Sequence, residues 1–393
     1  MLLDVHAIQS ALRADGLDGW LLYDFHGSNP IAGRLAGLSG GDKMATRRWY
    51  YLIPAEGEPR GLVHAIEPHN LDALPGPKAV YAGREQLAAE VRALVADRRR
   101  LAMEYSPDCA IPYISRVDAG TIDLLRGFGV EPVSSGDLVQ RFVAWWDEGA
   151  LASHRAASER LHRIKDRAFD AAGRAVGSGA GSTEYDLQQQ MVGWFTEEGL
   201  VSDSAPVVAT RNHSGDPHYL PEPRGSGTID AEAILLLDLW GKLDEPGAVF
   251  ADITWMGYTG PAVPQPMREA FSVIVAARDE AVRIVEDAAR DGRPLQGWEV
   301  DRAARDVIAD AGYGDWALHR TGHSLGEEVH GNGVHLDDFE THDDRRLLPG
   351  TGFTIEPGVY SDAFGVRTEI NMHIGECEAQ VTGPRQAEIL TLA

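Results

Sequence analysis

Cysteine is nearly missing from this chain: Cys109 and Cys377 are the two in 393 residues. Two cysteines build no disulfide framework, which suits a reducing compartment. Long apolar runs are also missing, and nothing approaches the roughly 20 residues that span a bilayer. Basic residues are scarce, 36 against 60 acidic, for a net charge of −24. Nucleic acid and anionic membrane surfaces call for the opposite balance, so neither partner is expected. The opening residues, Met1 to His6, lack a basic region followed by an apolar core. No secretory signal and a cytosolic location are therefore expected. No phosphate-cradling glycine loop occurs in roughly the first 150 residues.

What is present reads as two domains, at 44% hydrophobic and 24% charged residues. Residues 1–148 alternate helical and strand-like patterns. Helices are predicted over Val5–Asp15, Glu85–Asp97 and Ala119–Phe128. Strands are predicted over Gly19–Asp24, Arg48–Pro54, Gly61–Ile66 and Arg100–Tyr105. That alternation predicts an α/β domain with a mixed sheet. The run Arg98 to Arg100 reads as a solvated charge cluster, and Asp24 to Ile31 as an ordinary loop.

Residues 149–393 are organised around Ile234 to Thr254. Two apolar, β-prone runs flank a turn rich in Asp, Pro and Gly, which predicts a hairpin. Each run carries one acid, Asp238 and Asp252, and neither carries a Lys or Arg near it to compensate. A carboxylate taken from water is costly unless a cation or donors compensate it. Two of them facing each other across a hairpin invite a shared cation.

The pattern around this hairpin occurs twice. Leu151–Val176 and Met267–Ala289 are long helical segments, each followed by a second helix opening on a Glu-x-Asp pair, Glu184/Asp186 and Glu299/Asp301. Downstream of the second helix pair lie Phe353-Thr-Ile-Glu356 and Val366-Arg-Thr-Glu369. Glu356 follows Asp238 by 118 residues (356 − 238), and Glu369 follows Asp252 by 117 (369 − 252). Such self-similarity predicts a duplication with a pseudo-twofold axis that brings four carboxylates to one place. Four carboxylates at one point cannot all ionise without cations among them. His323, between the second helix pair and the second carboxylate pair, is a fifth candidate. Oxygen-rich ligation with one imidazole suits two Mn²⁺-, Co²⁺- or Zn²⁺-like ions, which can hold a bridging hydroxide and polarise a carbonyl.

These residues resemble the five-ligand site of the pita-bread metallopeptidases: methionine aminopeptidases, aminopeptidase P and prolidase. The resemblance rests on Leu-Leu-Asp238, Ala-Asp252-Ile-Thr, Thr-Gly-His323-Ser-Leu-Gly, Thr-Ile-Glu356-Pro-Gly-Val-Tyr and Val-Arg367-Thr-Glu369-Ile. It covers 149–393, while 1–148 is similar to the N-terminal domain of aminopeptidase P, prolidase and creatinase. The implied fold is a creatinase-like α/β domain followed by an α+β pita-bread domain with an internal pseudo-twofold repeat. The implied activity is hydrolysis of an Xaa-Pro bond by a homodimeric enzyme with two divalent ions, Mn first, Co or Zn as alternatives. By the same resemblance Asp238 binds one ion, His323 and Glu356 the other, and Asp252 and Glu369 bridge them. Glu356 then also carries the proton. His218, in Pro-His218-Tyr, is expected to hold the substrate and tetrahedral intermediate, His330 to contact the substrate carbonyl, and Arg367 to sit beside the last ligand or at the substrate. Both a dipeptidase (prolidase-like) and an aminopeptidase P acting on longer peptides remain open.

Four departures from the family pattern stand out: Leu239-Trp240-Gly241 after the first acid, Trp255 after Asp-x-Thr, Ser324 after the histidine, and a turn between the two Asp strands a few residues longer than usual. The two tryptophans put the size of the pocket in question. Two rivals exist. Gly322-His-Ser324-Leu-Gly326 fits a nucleophile elbow, with His373 and Asp337 or Asp344 completing a triad. The other rival is a silent binding protein that kept the fold. His335 and His373 read as structural, and the loop Asp337 to Arg346 as a solvated turn.

Overall fold

The structure, a computed structural model, describes residues 3–38 and 45–392. Met1 and Leu2, part of the opening segment considered for a targeting signal, lie outside the described residues. The chain divides into two units, Met1–Val143 and Ala144–Ala393. Among the described residues no helix is long and apolar enough to cross a membrane.

The central strands of the first unit are buried at every position, so the middle of their sheet is covered on both faces. The strands are β1 (Gly19–Asp24), β2 (Trp49–Pro54), β3 (Arg60–His64), β4 (Lys78–Tyr81), β5 (Arg100–Met103) and β6 (Glu131–Ser134), in the order β4-β3-β2-β1-β5-β6. β1 is antiparallel to β2 and parallel to β5. Trp20 and Leu22 face α1 (Val5–Ala14), α2 (Pro30–Leu35) and α5 (Gly136–Phe142). Leu21 and Tyr23 face α3 (Arg84–Leu94) and α4 (Ala119–Gly127). The stretch Asp24–Ile31 is not the ordinary loop expected. Asp24 accepts the N–H of Asn29 (2.8 Å), and Asn29 caps α2, which begins on Pro30.

The second unit opens with α6 (Glu148–Ser178), stopped by Gly179 at φ +66°, and α7 (Glu184–Glu197). Strands β7 (Leu200–Val201), β8 (Val207–Thr210), β9 (Ile234–Leu243) and β10 (Ala251–Tyr258) follow. Then come α8 (Gln265–Asp291) and α9 (Gly297–Asp310). The second set of strands is β11 (Ser324–Leu325), β12 (Gly352–Ile355), β13 (Gly358–Tyr360), β14 (Gly365–Arg367), β15 (Ile370–Ile374), β16 (Ala379–Val381) and β17 (Leu390–Thr391). One sheet runs β17-β10-β9-β7 with β8 also on β9, and another runs β11-β12-β15-β16.

Period-2 alternation sorts the residues of these sheets. Leu235, Leu237, Leu239, Ile253 and Trp255 face α6 and α7. The alternate positions, Asp238, Trp240, Asp252 and Thr254, lie on the other face. In the second sheet Phe353, Ile355, Ile370 and Met372 face the α8–α9 core, which leaves Thr354, Glu356, Glu369 and Asn371 on the opposite face.

Three expectations for this unit are revised. The second carboxylate pair is not carried on a plain hairpin: Glu356 follows β12, Glu369 precedes β15, and the two-stranded ribbon β13–β14 is inserted between them. The Glu184–Glu299 match is off by two residues. The equivalent positions are the reciprocal caps, Thr183/Asp186 on α7 and Gln296/Glu299 on α9, 113 apart (296 − 183 and 299 − 186). The loop from Asp337 is not simply solvated, because Asp337 and Asp343 are fully buried. Asp343 accepts Nε–H (2.8 Å) and Nη2–H (2.6 Å) of Arg345, and Asp337 accepts the N–H groups of Phe339 and Glu340.

Candidate metal centre

Asp238 and Asp252 are diagonal neighbours on β9–β10, not directly opposed. Asp238 pairs with Thr254 across the ladder, and Asp252 with Trp240. Diagonal residues share a face and lie within side-chain reach, so both carboxylates converge there. The second sheet is stitched to this one by Asn371. Its Oδ1 accepts the N–H of Asp252 (3.0 Å) and its Nδ2 donates to the carbonyl of Asp252 (2.5 Å). Glu369 N–H donates to the carbonyl of Thr254 (3.2 Å). Asp252 and Glu369 are thus held side by side through their backbones.

Thr254 lies at the centre of the polar network. Its hydroxyl has one proton to give and lies 2.8 Å from Glu369 Oε2 and 3.2 Å from Asp238 Oδ1. It also accepts Nε–H of Arg367 (2.9 Å), while Arg367 Nη2 pairs with Asp238 Oδ2. The sequence reading missed Thr254 and Asn371. Each stands two residues beyond a carboxylate, Asp252 or Glu369, so strand periodicity alone places them on the same face.

His323 enters from β12's other neighbour. The carbonyl of Ser324 can only accept, so the 3.1 Å contact fixes the proton on His323 Nδ1. Nε2 then presents a lone pair, 3.6 Å from Asp252 Oδ2 and 3.4 Å from Glu356 Oε1. The backbone is clamped on both sides. His323 N–H donates to Thr354 Oγ1 (3.0 Å) and Thr354 N–H to the carbonyl of His323 (2.8 Å). Thr354 Oγ1 in turn contacts Glu356 Oε1 (3.1 Å). Gly322 makes the clamp possible, since a Cβ there would stand 2.0 Å from the carbonyl oxygen of Thr354.

Whether these donors fit a cation can be judged from what they leave unsatisfied. Asp252 Oδ1 and Glu369 Oε1 are buried and have no hydrogen-bond partner among the described residues. Ligand atoms of Asp252, His323 and Glu369 all lie within 4.8 Å of one another. Orphaned buried oxygens are costly, and a divalent ion satisfies them together with an imidazole lone pair. The charge balance points the same way. Burial pushes Asp238 up to about 7, with Asp252 and Glu356 adding to the rise and Arg367 opposing it. Burial and the Glu356 charge raise Asp252 well above the usual range. Burial and the Asp252 charge do the same to Glu369. The residues fit a divalent metal.

The raised carboxylates give a testable sign. They hold protons in the metal-free fold, and a metal must displace them. Their protonated forms favour the fold below the unfolded pKa, and that contribution is lost as pH rises through the folded values, for Asp238 toward about 7. Metal binding therefore strengthens with pH. Calorimetric titration with Mn²⁺ at pH 6, 7 and 8 should show affinity rising about tenfold per unit for each proton displaced. A flat profile would contradict the assignment.

The remaining candidates lie at varied distances from this cluster. Arg367 is buried within it. His330 is solvent-exposed, its ring edge-on to His323 at 4.4 Å. His218 is exposed, its backbone N–H bound to Asp216 (3.0 Å), and no hydrogen bond or ion pair joins it to the cluster among the described residues. Trp240 shares the face of Asp238 and donates Nε1–H to Asp203 (2.7 Å). Trp255 points the other way, into the α6 layer beneath Lys165, so it does not shape this site. Ser324 is buried, its hydroxyl accepting the N–H of Gly333 (3.0 Å). His373 has neither ring nitrogen hydrogen-bonded among the described residues and stacks on Trp146, so among them no triad forms with it.

A buried cluster of acids and one imidazole, held between two sheets related by an internal repeat, defines a candidate metal centre on a pita-bread scaffold. The profile of metallopeptidase family M24 matches residues 156–376, more than half of the chain, and the chain belongs to that family. It is 29% identical over 235 residues to an Xaa-Pro dipeptidase of Lactobacillus delbrueckii subsp. lactis, covering 59% of this chain and 58% of the relative. It is 28% identical over 251 residues to a probable dipeptidase PepE of Mycobacterium tuberculosis, covering 63% and 60%. These matches span about three fifths of the relatives' length. In fold it is similar to dipeptidase PepE from Mycobacterium ulcerans, with TM-score 0.70, 22% identity, and 99% and 96% of the two chains covered. It is also similar to a prolidase from Thermococcus sibiricus, with TM-score 0.64, 20% identity and 98% of each chain covered.

Proposed function

We propose that this chain is a dinuclear-metal exopeptidase that hydrolyses an Xaa-Pro bond, with the dipeptide as preferred substrate. The observation that carries the reading is the pair of orphaned oxygens, Asp252 Oδ1 and Glu369 Oε1, facing the unprotonated nitrogen of His323. In this proposal Asp238 holds one ion, His323 and Glu356 the other, and Asp252 and Glu369 both. Bound there, divalent ions supply Lewis acidity to the scissile carbonyl and acidify water. Mn²⁺ is the metal we favour, because the ligand set is rich in carboxylate oxygen.

The chain's own residues do the rest. Burial works against ionisation of Glu356, yet His323, His319, Arg367 and Arg320 together hold its carboxyl below the usual range. At neutral pH Glu356 is thus a carboxylate, ready to take a proton from the attacking water and return it to the leaving amine. Arg367 and Thr254 keep Asp238 oriented. His218 and His330 are assigned to the substrate, at its backbone and carbonyl. The relatives' names support proline at the second position. We assign 1–148 as the creatinase-like domain and 149–393 as the catalytic one, in a cytosolic homodimer.

Comparing Ala-Pro with Ala-Pro-Ala tests the length preference. Faster turnover of the dipeptide is expected, and a preference for the tripeptide would make the enzyme an aminopeptidase P. Ser324→Ala should keep activity within about threefold, since among the described residues the hydroxyl receives a backbone N–H, that of Gly333. A loss of about 10³-fold or more in that variant, the scale of removing a catalytic nucleophile, would instead favour the serine mechanism.

A further inference from the structure

Glu184 is fully buried on the first turn of α7, and one carboxylate there binds both ends of a loop. Its Oε1 accepts the N–H of Thr210 (2.6 Å), where β8 ends. Its Oε2 accepts the N–H of Gly227 (2.6 Å), 17 residues on (227 − 210). Two points inside the loop are held as well. Tyr219 donates its hydroxyl to Oε2 (2.5 Å), and His213 Nδ1 lies 2.9 Å from the same oxygen. The rings of His213 and Tyr219 stack at 4.4 Å.

The opposite side of the loop is pressed onto the β13–β14 ribbon. Gly365 N–H donates to Ser214 Oγ (3.0 Å). A Cβ on Gly215 would stand 2.2 Å from the carbonyl oxygen of Ser361, so only glycine allows this approach. β14 ends on Arg367, which binds Asp238. His218 is the residue before Tyr219, exposed on a loop held at four points by Glu184 and at one by the ribbon.

We infer that Glu184, acting through Tyr219, is a positioning residue that fixes His218 for the substrate; this rests on the peptidase reading above. Stability alone gives little reason to place a carboxylate here, because long surface loops close at small entropic cost and buried charges are expensive. A substrate-holding side chain, by contrast, gains from a pre-organised loop. Asp301, one helical turn further along α9 than the position equivalent to Glu184, makes a similar tie in the second half. Fully buried, it accepts the N–H of Thr321 (2.8 Å) and of Asp338 (2.8 Å), and so ties down the segment that leads to His323.

The test is a double-mutant cycle on the Mn²⁺-loaded enzyme with Ala-Pro. Tyr219→Phe keeps the ring stack and removes only the hydroxyl, and Glu184→Gln serves as a second variant. Tyr219→Phe should lower kcat/KM about tenfold, His218→Ala should lower it at least as much, and the double variant should be no worse than His218→Ala. Mn²⁺ affinity, read by calorimetry, should stay within about twofold, which a general loss of structure would not allow. Independent, multiplying effects of the two substitutions would overturn the inference. Hydrogen exchange on metal-free protein supplies an arm that needs no activity: amides of 211–227 should exchange about tenfold faster in Tyr219→Phe, and unchanged exchange would overturn the inference. Metal-loaded wild type inert to Ala-Pro would sink the peptidase reading, and the exchange arm would then decide the positioning claim alone.

Discussion

Glu369→Gln should lower Ala-Pro turnover by about 10³-fold, equivalent to about 4 kcal/mol of transition-state stabilisation, without unfolding the protein. The side chain is pinned at one oxygen by Thr254 and through its backbone to the Thr254 carbonyl, so the amide keeps the carboxylate's place. What it loses is the charge on the second oxygen, which has no partner among the described residues. Burial and Asp252 already make ionised Glu369 costly in the metal-free fold. A neutral isostere therefore leaves the metal-free Tm unchanged or higher, because the amide needs neither the charge nor the proton that this desolvated carboxyl must take up to fold. Loss of activity and of bound metal with an intact or raised metal-free Tm is the signature of a ligand. A lowered Tm with metal content intact would mark Glu369 as structural.

Gly322→Ala should cost both stability and metal. The added methyl meets the Thr354 carbonyl oxygen, a backbone atom that cannot rotate away. Relief requires parting the two strands of chain that clamp His323 between N–H and carbonyl. Overpacking of this kind costs about 1–3 kcal/mol, or about 3–10 °C in Tm for a unit of this size. Displacement of the imidazole should weaken Mn²⁺ binding about 10- to 100-fold. Thermal unfolding and calorimetry read the two effects together. An unchanged Tm and affinity would mean that the close approach is not what seats His323.

Asp238 and Asp252 were legible because each interrupts an apolar run that strand periodicity demands, and Glu356 and Glu369 through their spacing from them in the repeat. Asp238 in Leu-Leu-Leu-Asp-Leu and Asp252 in Phe-Ala-Asp-Ile are charges set among residues that leave water, which singles them out. The repeat was legible through its caps, although the Glu-x-Asp pairs misled by two residues. In the first half the buried member is Glu184 and in the second it is Asp301, while Asp186 and Glu299 serve the capping boxes. Short elements were not legible. The ribbon β13–β14 hides behind Glu356-Pro-Gly, which reads as a turn, and β4 has four residues with two exposed. Nor were contacts between distant segments: Ser214 to Gly365 spans 151 positions, and Asp343 is buried between the folded-back Arg345 and the N–H of His335. Trp255 shows the reach of periodicity, since its odd position on β10 turns it to the helix layer and away from the acids.

The most direct test of the metal centre is restoration of activity. Chelator-stripped protein is assayed on Ala-Pro with and without added Mn²⁺, with metal content measured on the same sample. The result expected is negligible cleavage when stripped, recovery on addition, and two ions bound per chain at recovery. Cleavage indifferent to the chelator but lost to a serine-directed inhibitor would contradict the account and move the chemistry to Ser324.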